Sequence, residues 1–478
     1  MAKKVGTVIL ILLLLTVSLF IVGGYRMGIF GDKKKTYTFK EYFEKLDNPY
    51  MGYAPEADNE KLCAISQLVY MNLFWSELEP EEGHYNWDAI EDYNHLDRWR
   101  SEGKHLVLRF ICDYPTKEEH MDIPQWLYEK TMDGQFYDIE YGKGYCPNYD
   151  NETFIEEHAK VIEEIGRHFS EDDFLSYVEL GSLGHWGEWH TYYPAGIPRI
   201  PKTEIRAKYV EAYEEAFPNA KLLMRRPFAE RPEGCGVFND MTGASHDTFV
   251  WLSWIDSGGE YDSSGEKNAI VAAPEIWKNA PVGGEFTSSI PLSIMLGKDY
   301  EETRNMIEKS HMTFIGPKVP NPIKNPDIEE NTNNLLAYVG YRYRISDLTL
   351  YTPFLSKETI VSATIVNDGV APIYFPRRAC LYIELPKGAD PGSYLDIADG
   401  YGKAGTEAEE MLRFEMDVDI TGLSQGEEKT CSIKLPKEVL DIKGVKIYAG
   451  IENPNTGEID VLLSMKEDRK GNLTLLHK

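Results

Sequence analysis

From about Asn48 to Pro317, short apolar runs alternate with amphipathic stretches of helical period. That alternation, more than any other feature, limits what this chain can fold into. Strands are expected at Leu68–Phe74, His105–Ile111, Leu175–Gly181, Lys221–Arg225 and Met312–Ile315, with shorter ones at Val237–Asp240 and Val282–Phe286. Between them lie predicted helices. Asp88–Ser101 carries Ile90, Tyr93 and Trp99 on one face, and Glu152–Phe169 follows an Asp150/Asn151 cap with Phe154, Ile155, Ile162 and Ile165 at helical spacing. Thr203 opens a helix to Phe217, and Asp299 with Glu302 opens another. Parallel strands need long crossovers, so repeated strand–helix units imply a parallel sheet. About eight such units in roughly 270 residues imply a closed (β/α)8 barrel. An open doubly wound sheet is the competitor, but no G-x-G-x-x-G follows any strand.

The pattern changes on both sides of this region. Pro317, Pro320, Pro322 and Pro326 give a stretch of linker composition. Beyond Asn331 come short strands such as Ile360–Val366, Ala379–Ile383, Thr430–Ile433 and Val445–Tyr448, with turns at Asn367-Asp368-Gly369 and Asn455-Thr456-Gly457. They predict a C-terminal β-sandwich. At the other end, Lys3 and Lys4 precede an uncharged apolar run from Val5 to Gly24. At 1.5 Å per residue it spans a bilayer core of about 30 Å. No A-x-A-like cleavage site follows, which favours an uncleaved N-terminal transmembrane helix over a removed signal peptide. The short head and large body favour a single-pass cell-membrane protein with its body extracytoplasmic, although Arg26 and Lys33–Lys35 weaken a simple positive-inside assignment. The expected organisation is an anchor and linker over residues 1–35, a barrel over 36–330 and a sandwich over 331–478.

Composition narrows the partners. Lys plus Arg number 50 and Asp plus Glu number 78, giving a net charge of −28. Such a body argues against nucleic acid, which is bound through clustered Lys and Arg. Six cysteines form no C-x-x-C, and Cys380 and Cys431 are the pair placed to bridge if any are, although buried free thiols fit as well. No Cys/His spacing suits zinc, and His185, His190 and His311 are too few for a metal hypothesis, so no metal and no cofactor are expected.

In a parallel barrel the active site lies at the C-terminal ends of the strands. There the chain runs Glu179-Leu180-Gly181-Ser182-Leu183-Gly184-His185-Trp186-Gly187-Glu188-Trp189-His190. A carboxyl walled by indole rings can have its pKa raised and hold a proton near neutral pH, and tryptophan faces stack on sugar rings. Glu188 follows the fourth strand, and Glu285, flanked by Gly283 and Gly284, ends the seventh. Retaining glycosidases need two carboxyls about 5–5.5 Å apart, and inverting enzymes hold theirs about 6.5–9.5 Å apart. Glu188 is therefore the expected acid/base and Glu285 the expected nucleophile. Glu179 is a rival within the strand, ranked lower because Glu188 follows a mobile glycine-containing turn. Arg109 ends the third strand, Arg225 and Arg226 the fifth, and Asp240 the sixth. These, with Trp75, Glu179, His185, Trp186, Trp189, His190 and Trp254, are the expected carbohydrate-binding residues. Trp277 is a further platform candidate, and the Tyr-rich loop from Cys112 to Asp150 is a candidate cover.

The string Trp75-Ser76-Glu77-Leu78-Glu79-Pro80-Glu81-Glu82-Gly83-His84-Tyr85-Asn86-Trp87 resembles the second βα unit of glycoside hydrolase clan A, and Ile123-Pro124-Gln125-Trp126-Leu127 is similar to a segment of the next loop in those barrels. The clan commonly ends its fourth strand in Asn-Glu, which this chain lacks. The Gly-His-Trp-Gly-Glu-Trp-His segment, together with Gly340-Tyr341-Arg342-Tyr343 and Asn367–Tyr374, resembles instead the barrel family called domain of unknown function 4832. The resemblance implies a glycoside-hydrolase-like barrel over nearly all the chain after the anchor, and no substrate. Three functions fit: a glycoside hydrolase acting on a polysaccharide or cell-surface glycan, a non-catalytic carbohydrate-binding or envelope glycan assembly protein, and a transglycosylase.

Overall fold

The computed structural model describes Thr16 and residues 31–170, 173–321, 326–403 and 410–478. The apolar run Val5–Gly24 lies, apart from Thr16, outside the described residues. Among the described residues no helix is long and apolar enough to cross a membrane.

Eight parallel strands form the central sheet. In chain order they are β1 Gly52–Tyr53, β2 Leu68–Phe74, β3 His105–Ile111, β4 Leu175–Glu179, β5 Lys221–Met224, β6 Gly236–Thr242, β7 Val282–Phe286 and β8 Phe314–Ile315. From β2 to β8 each pairs with the next, and β8 pairs with β1. Closure comes from the extension of β1: Tyr70 N donates to Pro55 O at 2.7 Å and Ala57 N to Tyr70 O at 2.8 Å. Strands buried on both faces read as continuous apolar runs, which is why β2, β3 and β4 were legible.

Two expectations need correction here. The helix predicted over Asp88–Ser101 is two helices, Trp87–Asn94 and Leu96–Ser101, broken at His95, which adopts the left-handed conformation (φ 54°). Tyr93, expected inward, is 68% exposed. The strand Lys33–Thr38, which straddles the expected start of the barrel, does not join it. It pairs antiparallel with Tyr343–Thr352 in a sheet completed by Glu358–Asn367 and Glu428–Pro436.

That four-stranded sheet packs on a larger antiparallel sheet built around Arg378–Glu384, Glu410–Asp419, Lys446–Glu452 and Leu473–His477. Cys380 and Cys431 sit in different sheets and are free, as are the other four cysteines, so the bridge does not form. The sandwich core is continuous with the interior of the barrel. Leu68, Val107, Tyr177, Leu223 and Phe314 from the barrel belong to one apolar cluster with Tyr341, Ile373 and Phe375 from the C-terminal region. Phe375 stacks on Tyr50 with centroids 4.0 Å apart and meets Tyr177 edge-on at 5.5 Å. The sandwich region therefore closes one end of the barrel and leaves the C-terminal end of the strands to form a cleft. Phe375→Ala should remove that plug and cost about 3–5 kcal/mol of stability, read as a lowered denaturation midpoint in urea.

Candidate active site

The cleft at the C-terminal ends of the strands has two lobes that share Tyr114, Trp186, Glu188, Glu285 and Ser288. The smaller, about 330 Å³, is walled by Pro55, Asn59, Asn72 and Arg109 on one side and by Pro317, Lys318 and Val319 on the other. The larger, about 670 Å³, is walled by Tyr141, His190, Arg225, Arg226, Asp240 and Tyr261.

Arg109 sits at the centre. Its position on β3 pairs directly with Glu179 on β4. Both are buried; Arg109 Nε donates to Glu179 Oε2 at 2.8 Å, and Nη2 forms an ion pair with the same oxygen at 2.5 Å. Tyr70 from β2 donates to the same oxygen at 2.5 Å. A buried cation needs counter-charge, and Glu179 supplies it. Glu179 is thus the partner that orients Arg109 rather than a group facing the cleft. Two further carboxyls reach the same guanidinium: Glu188 Oε1 lies 4.0 Å from Nη1, and Glu285 Oε2 lies 3.5 Å from Nη2. Because the Nη atoms share one planar group, these contacts limit the gap between the two carboxyls to roughly 10 Å.

Burial pushes the Glu285 carboxyl up to about 8; Arg109 opposes the rise, Glu188 and Glu179 add to it, and Lys318 offsets a little. The two indoles flanking Glu188 in the sequence predict an apolar wall on both sides of that carboxyl. The structure turns one of those indoles away. Trp189 is 1% exposed, donates from Nε1 to Leu180 O at 2.6 Å and packs on Phe228. Trp186 is the one that lines both lobes.

The segment between β4 and Glu188 is tightly wound, not mobile. A Cβ on Gly187 would lie 2.2 Å from Gly181 O, one on Gly184 2.3 Å from His190 O, and one on Gly181 2.4 Å from Phe110 O. Gly184 and Gly187 also need positive φ, and so do Trp186 and Trp189. His185 N donates to His190 O and Trp189 N to Leu183 O, which staples the loop on itself. Asp113, just past β3, clamps it from outside. Its carbonyl accepts from Trp186 N, and its carboxylate takes His185 Nδ1 at 2.9 Å and the Tyr137 hydroxyl at 2.5 Å. The three glycines are there for close approach, which is why a glycine-rich string presents a rigid carboxyl.

Of the residues expected at the site, Arg109, Trp186, Glu188, His190, Arg225, Arg226, Asp240 and Glu285 line the cleft. The others do not. Trp75 is wholly buried, packs on Phe110 and Phe154, and donates to Glu79 Oε2 at 2.9 Å. Glu79 also accepts from Gly83 N, so the Trp-x-x-x-Glu-Pro-x-x-Gly string is a self-capping turn. His185 is wholly buried against Asp113. Trp254 lies under the Arg226 guanidinium at 4.9 Å and offers no face to the cleft. Trp277 stacks on His311 at 3.7 Å, and neither lines the cleft. Asn72, Tyr261, Ser288 and Lys318 carry no motif of their own; they come from strand interiors and ends, a turn and the proline-rich segment. Asp113, Tyr114 and Tyr141 are reached only through their loop; Tyr141 stands at the tip of a hairpin, Gln135–Ile139 and Gly142–Cys146, and approaches Trp186 at 5.2 Å.

Buried polar atoms without hydrogen-bond partners collect here. They include Asn72 Oδ1, Glu179 Oε1, Arg225 Nε, Arg226 Nε and Glu285 Oε2. Native interiors leave few such atoms, so their concentration at one rim marks a surface shaped for a polar ligand. Among the described residues no group of three or more His, Cys, Asp or Glu is placed to hold a metal ion.

No family model matches the chain, and no curated protein matches it. Solved structures do. Endo-glycoceramidase II from Rhodococcus sp., as its lactosyl-enzyme intermediate, is 12% identical, covers 84% of this chain and 100% of its own, and has a TM-score of 0.37. A GH5_18 protein from Bifidobacterium longum subsp. infantis is 11% identical over 59% of this chain and 68% of its own, with a TM-score of 0.34. A GH30 endoxylanase from Clostridium papyrosolvens is 8% identical over 88% of this chain and 100% of its own, with a TM-score of 0.32. These neighbours are glycoside hydrolases of clan A. Scores at this level leave the fold to be read from the strands themselves, and the resemblance to domain of unknown function 4832 keeps only the motifs that suggested it.

Two outcomes follow from the geometry. The folded protein holds the Glu285 proton up to about pH 8, whereas the unfolded chain releases it near 4.5. Stability from this group is therefore full below pH 4.5 and falls as pH rises towards 8. Glu285→Gln should raise Tm at pH 8 and leave it nearly unchanged at pH 4 in paired melting curves. Gly187→Ala should lower Tm at every pH, because the added carbon meets backbone.

Proposed function

We propose that this protein is a retaining glycoside hydrolase that cleaves a polysaccharide or cell-surface glycan in the barrel cleft. The observation that carries the proposal is the convergence of Glu188 and Glu285, from β4 and β7, on one guanidinium in the barrel mouth. Burial holds the Glu285 carboxyl up at about 8, and glycoside hydrolysis needs one protonated and one ionised carboxyl. Tyr114, Trp186 and Tyr141 supply ring faces around them.

Roles are proposed from placement. Glu285 is carried on a strand beside Arg109, which favours its anion, and is the nucleophile. Glu188 stands on the loop with His190 Nδ1 3.9 Å away, and is the acid/base. Hydrolysis needs Glu285 ionised and Glu188 protonated with substrate bound. Glu285 then attacks the anomeric carbon while the bond to the leaving oxygen breaks, and that oxygen takes the Glu188 proton. Glu188 next removes a proton from water, which attacks the same carbon and releases Glu285.

The apolar run Val5–Gly24 is proposed as a single membrane anchor that keeps the body outside the cell. Resistance of the full chain to carbonate extraction, lost on deletion of residues 5–24, tests it.

A polysaccharide panel should yield a cleaved substrate whose kcat/KM falls above about pH 8. Glu188→Gln and Glu285→Gln should each lower kcat by about 10³-fold or more at unchanged fold. Full activity in either would break the assignment. Proton NMR of the first-formed anomer reads retention directly. Binding without cleavage would favour a carbohydrate-binding protein instead.

A further inference from the structure

Glu188 and Glu285 occupy the boundary between the two lobes, and the larger lobe carries a second chemistry. Arg225 and Arg226 follow β5 directly, both are buried (3% and 8% exposed), and both line that lobe. Their surroundings differ. Arg225 is neutralised: Asp240 from β6 forms a contact ion pair with it, Nη1 donates to Phe238 O at 3.4 Å, and Trp251 Nε1 fixes its carbonyl at 3.0 Å.

Arg226 has no such partner. Among the described residues no carboxylate lies within ion-pair distance of its guanidinium. Nη1 makes one long hydrogen bond, 3.4 Å to Glu188 O, and Nε makes none. The guanidinium is held instead by rings, 4.6 Å from the centroid of Tyr261 and 4.9 Å from that of Trp254. Cation–π contacts position the group but do not replace a counter-ion, and an unpaired buried charge costs several kcal/mol. A guanidinium packed on ring faces keeps its N–H edge for an acceptor in its own plane, the geometry of a carboxylate or sulfate.

We propose that the larger lobe receives an acidic sugar, whose oxyanion substituent pairs with Arg226. Because Arg226 is bonded to the main chain of Glu188, the acidic sugar lies next to the bond that is cleaved. This rests on the glycoside-hydrolase reading for the reaction, but not for the binding. The oxyanion is a uronic-acid carboxylate or a sulfate ester, and the two are separated by experiment. Paired to Asp240, Arg225 shapes the pocket and contributes little net charge.

The test uses the full chain carrying Glu285→Gln, titrated calorimetrically with oligogalacturonate and its carboxyl-reduced form, and with a sulfated galactan oligosaccharide and its desulfated form. One acidic member should bind about 10–100-fold more tightly than its neutral counterpart, with the advantage shrinking at high salt. Which member does so identifies the oxyanion. Adding Arg226→Gln should abolish the difference while sparing neutral binding, and Arg226→Lys should restore part of it. Two results would overturn the inference: neutral and acidic forms binding alike, or Arg226→Gln weakening both equally, which would reduce Arg226 to a brace for the Glu188 loop. Absence of binding by both acidic probes would also count against it. Acid-selective binding without hydrolysis by the wild type would leave this inference standing and remove the hydrolase reading. Hydrolysis confined to neutral glycans would do the reverse.

Discussion

The buried guanidinium of Arg109 organises the barrel mouth. A cation in that position must be met by carboxylates, and the surrounding strands can supply them only at their C-terminal ends. Glu179 answers from the adjacent strand at hydrogen-bond distance, with the Tyr70 hydroxyl on the same oxygen. Glu188 and Glu285 approach from either side at longer range. Three acids around one base cannot all ionise cheaply in a buried site, so a proton stays, and burial leaves it on Glu285. Structure and chemistry thus have one origin. The contact that joins β3, β4 and β7 electrostatically also leaves the site holding one proton.

Precision in placing Glu188 comes from a different source. The loop after β4 carries no regular ladder, yet backbone-to-backbone approaches at Gly181, Gly184 and Gly187 leave no room for adjustment. Trp189 acts as a peg driven into the core, and Asp113 grips the loop through His185 and Trp186. The residues that look most like ligand-binding groups in the string therefore divide by task. His185 and Trp189 hold the loop; Trp186, Glu188 and His190 face the cleft.

The far end of the barrel is managed by apolar packing. Tyr50, Tyr177 and Phe375 bring the C-terminal region into one core with the barrel interior. Bracing is thereby a direct consequence of the aromatic stack.

Much of the barrel is legible in the sequence alone. β2, β3, β4 and β7 appear as runs of apolar or glycine residues bounded by turns, because a strand covered on both faces must be apolar throughout. Counting those strands placed Arg109, Arg225, Asp240 and Glu285 at the correct rim, since a parallel barrel allows only one. What periodicity cannot express is direction within the rim. Trp75 and Trp254 sit at plausible positions, but one points into the wall and the other lies beneath Arg226. Nor could it show that Lys318, in a proline-rich stretch with linker composition, returns to wall the smaller lobe, or that Lys33–Thr38 joins the sandwich. The linear chain determined the strand count, the rim and the acids available there. Only the closed sheet decided which of those side chains share a guanidinium and which a core, because that depends on contacts between segments scores of residues apart.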